Sequence, residues 1–286
     1  MAEALEIKEK NMNKKNMKGK QAREINRHFA AVWNNKGTSL GNLGHYEEAL
    51  RCYEKALELD SRYAAAWNNK GNSLDCLGRN EEALDCFDKA LELDPHCAGA
   101  WYNKGASLDN LGHFEDAVLC YDEALELDPS NAIVWYNKGS SLHFLGHDED
   151  AICCYDKALA LDPRNADTWA NKGVSLENRC RYEEAISCFE KALEIDSLYV
   201  NAWNNKGRSL GGLGRFEETI RCYDKALELD PDCAGAWFNK ALAEDILSRW
   251  REAVRSYQQF LILAPEQQYA KQIEHARKRL QELEGN

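Results

Sequence analysis

The sequence predicts an all-α array of seven helix–turn–helix repeats closed by a C-terminal capping helix. Two observations carry that prediction. Seven of the eight tryptophans (Trp33, Trp67, Trp101, Trp135, Trp169, Trp203 and Trp237) recur at a strict 34-residue interval, the length of one helix–turn–helix unit. Six glycines, Gly37, Gly71, Gly105, Gly139, Gly173 and Gly207, keep the same period four residues behind them. An array of this kind has no single catalytic centre, because each unit contacts only its neighbours and function lies on the surface that stacking creates.

The units run 30–63, 64–97, 98–131, 132–165, 166–199, 200–233 and 234–267. In the third, Trp101, Gly105, Leu108 and Leu111 follow four–three spacing and share one stripe of a first helix. Gly112 ends that helix, since glycine accepts the left-handed conformation that closes a last turn. Ala117, Tyr121 and Ala124 share one face of the second helix, and Asp128-Pro129 stops it. A mid-helix glycine costs roughly 1 kcal/mol against alanine, so the six repeated glycines imply close approach of the partner helix. Ala49, Ala83, Ala117, Ala151 and Ala185 are expected to supply the matching small surface, with the tryptophans and the second-helix aromatics filling the rest.

Residues 1–29 form a leader with eight Lys/Arg against four Glu, which leaves about −16 on the remainder of a chain whose net charge is −12. It is expected to be partly disordered or a short helix, with Ile25 and Phe29 packing on the first unit. Residues 268–286 form an amphipathic capping helix: Tyr269, Ile273, Ala276, Leu280 and Leu283 face inward, and Lys271, Glu274, Arg277, Lys278 and Glu282 face out. No apolar run approaches the roughly 20 residues that span a bilayer, and the acidic array disfavours nucleic acid. The absence of an apolar secretory segment and the eleven cysteines point to a reducing, cytoplasmic location.

The combination of Trp-x-Asn-Lys-Gly, Leu-Gly, Ala, Tyr/Phe, Ala and Asp-Pro at these positions closely resembles the tetratricopeptide repeat family over residues 30–267, in the form common in archaeal and bacterial arrays. The resemblance implies a right-handed α-solenoid superhelix whose first helices line a concave groove. It also implies a non-catalytic protein-interaction scaffold. Some members grip an acidic chaperone tail through groove lysines and arginine; that pattern is missing here, because the residue after tryptophan is never lysine.

Seven asparagines, Asn35, Asn69, Asn103, Asn137, Asn171, Asn205 and Asn239, follow the tryptophans by two residues. That offset turns each amide about 200° from the core stripe, and an amide matches the donor and acceptor of a peptide backbone. Family members with long superhelices carry such an asparagine ladder to hold an extended main chain. Specificity then falls to the variable positions, with Tyr102, Tyr136 and Phe144 as aromatic anchors. Asp75 and Asp109 are the acids available to a basic ligand residue. The expected partner is another protein or peptide in extended conformation; no cofactor, metal or membrane partner is expected.

The lysine that follows each asparagine, Lys36 through Lys240, reads as a stem covering apolar surface, with Glu47, Glu48, Glu81 and Glu82 as partners in the same units. Cys52, Cys86, Cys120, Cys154, Cys188 and Cys222 share one position and read as small buried apolar residues. Arg179 and Arg181 flank Cys180 as a candidate anion site. No phosphate loop, nucleophile elbow or metal-binding histidine pair appears, and the seven histidines read as solvated. The alternatives to a peptide-binding scaffold are a structural solenoid that self-associates, including as a weak homodimer, and a cysteine-based redox-responsive adaptor.

Overall fold

The structure, a computed structural model, describes the backbone of residues 2–284 and the side chains of residues 21–283. Among these residues it contains fifteen helices and no strand. The first helices of the repeats are α1 (Ala2–Asn42), α3 (Ala64–Cys76), α5 (Ala98–Asn110), α7 (Ala132–Phe144), α9 (Ala166–Asn178), α11 (Val200–Gly212) and α13 (Ala234–Ile246). The second helices are α2 (Tyr46–Leu59), α4 (Asn80–Leu93), α6 (Phe114–Leu127), α8 (Asp148–Leu161), α10 (Tyr182–Ile195), α12 (Phe216–Leu229) and α14 (Trp250–Leu263), followed by α15 (Glu266–Glu284).

The chain divides into two compact units, one ending at Ser141 and one beginning at Leu142. In the first, each helix from α1 to α6 packs on the next, and α1, α3 and α5 also touch in turn. In the second, the same pattern runs from α8 to α15, with α9, α11 and α13 touching in turn. Each is a stack of helix pairs, the arrangement of an α-solenoid.

The turns follow from a few residues. At the end of α5, Gly112 takes φ +78°; its N–H reaches Asp109 O at 2.9 Å and that of His113 reaches Leu108 O at 2.9 Å, the two bonds of a Schellman cap. Cys180 and Ser248 hold the same place at φ +57° without being glycine. At the far end of each of the first six repeats an aspartate stops the second helix, and in the seventh Ala264 holds that place. The Asp128 N–H donates to Ala124 O at 2.9 Å, and its Oδ1 accepts the Ser130 N–H at 3.1 Å. This local bond competes with helix continuation.

The repeated glycines are explained by rings rather than by the alanines. A Cβ at Gly105 would stand 2.7 Å from Cε1 of Tyr121, and one at Gly71 would stand 2.6 Å from Phe87. The second-helix alanines are fully buried, but the side chain that reaches the glycine is the aromatic one turn further on. The tryptophans are half-buried rather than core residues. Each indole N–H from Trp67 to Trp237 donates to a carbonyl six residues earlier, as Trp101 Nε1 does to Pro95 O at 3.0 Å. Tryptophan therefore pins the entry of its helix to the end of the preceding unit, a role its period alone did not disclose.

At the C-terminus Ile273, Ala276 and Leu280 are buried against Ala253, Tyr257 and Phe260, with Tyr269 and Leu283 half-buried beside them. Lys271, Glu274, Arg277, Lys278 and Glu282 are exposed. At the other end α1 is continuous from Ala2 into the first repeat. Ile25 and Phe29 do not pack on that repeat as expected; they are 51% and 52% exposed. Leu5, Ile7, Met12 and Met17 of the leader lie outside the described side chains. Met1, Gly285 and Asn286 lie outside the described residues altogether.

Candidate functional site: the face of the first helices

In the first unit the asparagines form a lateral ladder. Asn69 Nδ2 donates to Asn34 Oδ1 at 3.0 Å and lies 3.4 Å from Thr38 Oγ1. Asn103 Nδ2 donates to Asn68 Oδ1 at 3.1 Å, and Asn137 Nδ2 to the Tyr102 hydroxyl at 3.3 Å. Each amide thus reaches back to the residue that follows the tryptophan of the preceding repeat. One donor is spent on bracing, and the orientation of the amide is fixed by that bond. The side-chain Oδ1 atoms of Asn103 and Asn137 accept no bond among the described residues, and both side chains are half-buried. Asn35, at the start of the row, is exposed.

In the second unit Asn171, Asn205 and Asn239 are half-buried at the same position. The rung between Asn204 and Asn239 is open, and Asn204 Oδ1 is buried without a hydrogen-bond partner among the described residues.

Of the aromatic anchors, Tyr102 is half-buried, with its ring 6.2 Å from that of Tyr121 and its hydroxyl receiving Asn137. Tyr136 is half-buried. Phe144, in the second unit, is 69% exposed.

The two acids are engaged within the array. Asp75 Oδ1 accepts Ser107 Oγ at 2.5 Å. Asp109 accepts the Tyr121 hydroxyl at 2.6 Å on one oxygen and Ser141 Oγ at 2.7 Å on the other. Burial raises the Asp109 carboxyl above its ordinary range, partly offset by the two hydroxyls. A ligand cation would therefore find both of its oxygens already bonded. The same relation, from a residue eight after one tryptophan to one near the next, continues in the second unit. His143 Nδ1 lies 3.0 Å from Ser175 Oγ and 2.8 Å from Asp148 Oδ1, so His143 is not a solvated side chain. Asn178 Nδ2 adds to Asp148 at 3.2 Å. Glu177 instead takes Arg208 in a two-pronged pair at 2.5 and 3.0 Å, and Ser209 Oγ is left buried without a partner among the described residues.

The lysine stripe has partners other than those expected. Lys70, Lys104, Lys172, Lys206 and Lys240 reach Glu54, Asp88, Asp156, Glu190 and Asp224 at 3.5, 2.7, 2.5, 2.8 and 2.6 Å, and Lys138 pairs with Asp122. All lie on the second helix of the preceding repeat, not on the helix of the same unit. Each ammonium also stands over its own tryptophan, 5.2–5.8 Å from the ring centroid, a contact worth about 0.5–1 kcal/mol at an exposed site.

The six periodic cysteines are 5% exposed. Burial pushes the thiols of Cys86, Cys120 and Cys188 up to about 11, which keeps them protonated and poorly nucleophilic near neutrality. Arg179 and Arg181 do not form an anion site. Both bond Glu149, at 3.1 and 3.3 Å, and Arg181 also pairs with Glu184. No helix among the described residues is long and apolar enough to cross a membrane.

A stack of helix pairs with a periodic polar face defines a class, the protein-interaction scaffold built from repeats. Profiles described as Tetratricopeptide repeat match residues 30–63, 64–97, 98–131, 166–197 and 200–233, and a second such profile matches 120–152. The chain belongs to the tetratricopeptide repeat family. Comparison with curated proteins found no match. Among solved structures it is similar to YrrB, a TPR protein with an unusual peptide-binding site, at 28% identity and TM-score 0.59, over 64% of this chain and 95% of that one. It is also similar to MamA from Desulfovibrio magneticus RS-1, at 25% identity and TM-score 0.56, over 59% and 96%. A TPR protein from Parabacteroides merdae shares the fold at 15% identity and TM-score 0.62, over 91% and 100%.

Proposed function

We propose that this chain is a non-catalytic scaffold that holds an extended segment of a partner protein in a groove lined by its first helices. The observation that carries the reading is the orientation of Asn103 and Asn137. Their Nδ2 atoms are tied to the preceding repeat, while their oxygens stay open to accept a peptide N–H. A row of such acceptors grips main chain and reads no sequence, at about 1 kcal/mol per bond. Asn35, Asn69, Asn171, Asn205 and Asn239 hold the same repeat position, Asn69 with its side-chain oxygen already taken by Asn68 at 3.5 Å. In this reading Tyr102 and Tyr136 supply side-chain selectivity in the first unit and Phe144 in the second. Similarity to YrrB, which has a peptide-binding site, supports the same reading. Asp75 and Asp109 act in it as braces of the first helices rather than as ligand acids. In this reading the chain works in a reducing, cytoplasmic setting, which the eleven cysteines of the sequence support.

The test is selection of 12-residue peptides on the full chain, followed by affinity measurement with an Asn103→Ala, Asn137→Ala variant of unchanged helicity. The reading expects at least a tenfold loss, about 1.4 kcal/mol, and a similar loss when single ligand amides are N-methylated. Undiminished binding by the variant removes the ladder from the mechanism.

A further inference from the structure

The first repeat differs from the others on one side only. The residue just before each tryptophan is Ala66, Ala100, Val134, Thr168, Ala202 and Ala236 in the later repeats, and none is more than 2% exposed. In the first repeat it is Val32, at 50%. Leu40 is half-buried, where its counterparts Leu74, Leu176 and Leu210 are 1–2% exposed. Lys36 is exposed and makes no ion pair among the described residues, whereas the six later lysines each hold a carboxylate of a preceding second helix. Phe29 and Leu43, at 52% and 72% exposed, continue the same side.

These positions are not scattered. Ile25, Phe29, Val32, Lys36, Leu40 and Leu43 succeed one another at spacings of four, three, four, four and three, so they form one stripe about 27 Å long on and just beyond α1. Two of them lie upstream of the repeat, on the continuous part of α1, and so lengthen the stripe beyond a single unit. Elsewhere in the array this side is covered by a second helix that brings leucine, alanine and one carboxylate set to meet the lysine. Leu84 and Asp88 of α4 do this for Trp101, Lys104 and Leu108 of α5.

We propose that the exposed side of α1 is a docking face for an acidic amphipathic helix of a partner protein, seated as the second helix of a preceding repeat would be. Its carboxylate pairs with Lys36, and its leucines cover Val32, Phe29 and Leu40. Charge favours this occupant over a second copy of the chain. Two α1 stripes facing each other would bring in Lys36 from each side and no carboxylate to meet either. The second helices α2, α4, α10 and α12 of a copy are each already covered on two sides, and α14 is covered by α15. The surface differs from the groove of the asparagine ladder, so this proposal stands without that reading.

The test uses the full chain and a fluorescent peptide of residues 80–93, Asn80 to Leu93, locked helical by a hydrocarbon bridge between the solvent-facing positions 81 and 85. Fluorescence anisotropy should show saturable binding that Val32→Glu weakens at least about tenfold, since it buries an unpaired charge. Lys36→Glu should weaken the same peptide and restore affinity for one carrying Asp88→Lys. Both residues are exposed, and circular dichroism checks that the variants fold. Absence of saturable binding, or binding indifferent to Val32→Glu, overturns the proposal. So does a concentration-dependent dimer in light scattering that Val32→Glu abolishes, which assigns the face to a second copy.

Discussion

At the scale of single residues, glycine and cysteine hold repeated positions for reasons that differ in how far sequence reveals them. The repeated glycine was legible, because a mid-helix glycine needs a reason, but the atom it makes room for was not. Gly105→Ala places a methyl 2.7 Å from the Tyr121 ring. The helix gains up to about 1 kcal/mol of propensity, against a crowding cost of about 1–3 kcal/mol. The expected outcome is a net loss of about 1–2 kcal/mol in urea unfolding; a gain would mean that the ring moves freely. Ala241 in the last repeat shows that a methyl is accommodated where neighbours change, for there Phe260 and His275 repack around Tyr257. Period alone could not reveal that the asparagine amides are braced to the previous repeat, nor that Asp109 is spent on Tyr121 and Ser141. Both facts depend on which side chains lie on a neighbouring helix, and a spacing within one helix says nothing about that.

The cysteines add a pH dependence. The Cys86, Cys120 and Cys188 thiols are raised by burial from about 9 to about 11. An acid whose folded pKa is raised contributes stability that is whole below the unfolded value. That stability is lost as pH climbs through the folded one. Stability should therefore fall between about pH 9 and 11, by on the order of 1–3 kcal/mol per thiol. The fall should be smaller in the triple Cys→Ala variant than in wild type when urea midpoints are compared across that range. Equal slopes would show that other groups carry the alkaline transition.

At the scale of helices, the ends are set by single residues in unusual conformations. Cys180 closes α9 at φ +57°, where five other units use glycine at φ +74° to +80°. A side chain in the left-handed region costs roughly 1–2 kcal/mol, and the thiol is exposed, with a hydrogen bond to Tyr182 as its partner. Cys180→Gly should thus raise stability by about 1 kcal/mol, read from the denaturation midpoint at constant m-value. An unchanged or lower midpoint would show that the loop entropy gained by glycine cancels the relief. The helix-turn-helix periodicity was legible because glycine and Asp-Pro punctuate it. The continuity of α1 was not, because the sparse apolar pattern before Ala30 reads as a tail.

At the scale of the whole molecule, the repeats are interchangeable wherever their cross-repeat contacts match. Excision of residues 98–131 would bring Asn137 to Asn68 and Ser141 to Asp75, the partners that Asn103 and Ser107 use now. The shortened chain should keep its helix content per residue and lose stability by roughly one repeat and one interface. Circular dichroism with urea titration checks this, and collapse of the helical signal would show that the contacts are not modular. Excision of 166–199 is a harsher case, because it removes Glu177 and leaves Arg208 facing His143.

That last pair bears on how such a chain finds its own order. Units this alike allow a folding intermediate in which one helix pair docks against the wrong neighbour, displaced by a whole repeat, with nearly all of its apolar contacts satisfied. The Glu177–Arg208 pair tells the correct arrangement from the displaced one. Glu177 is 10% exposed at its side chain, and a shift by one unit sets it against a residue other than Arg208, leaving a carboxylate with little water and no cation. Misdocked chains would carry that penalty until they open and search again, so one irregular rung serves as a proofreading step in an otherwise degenerate sequence.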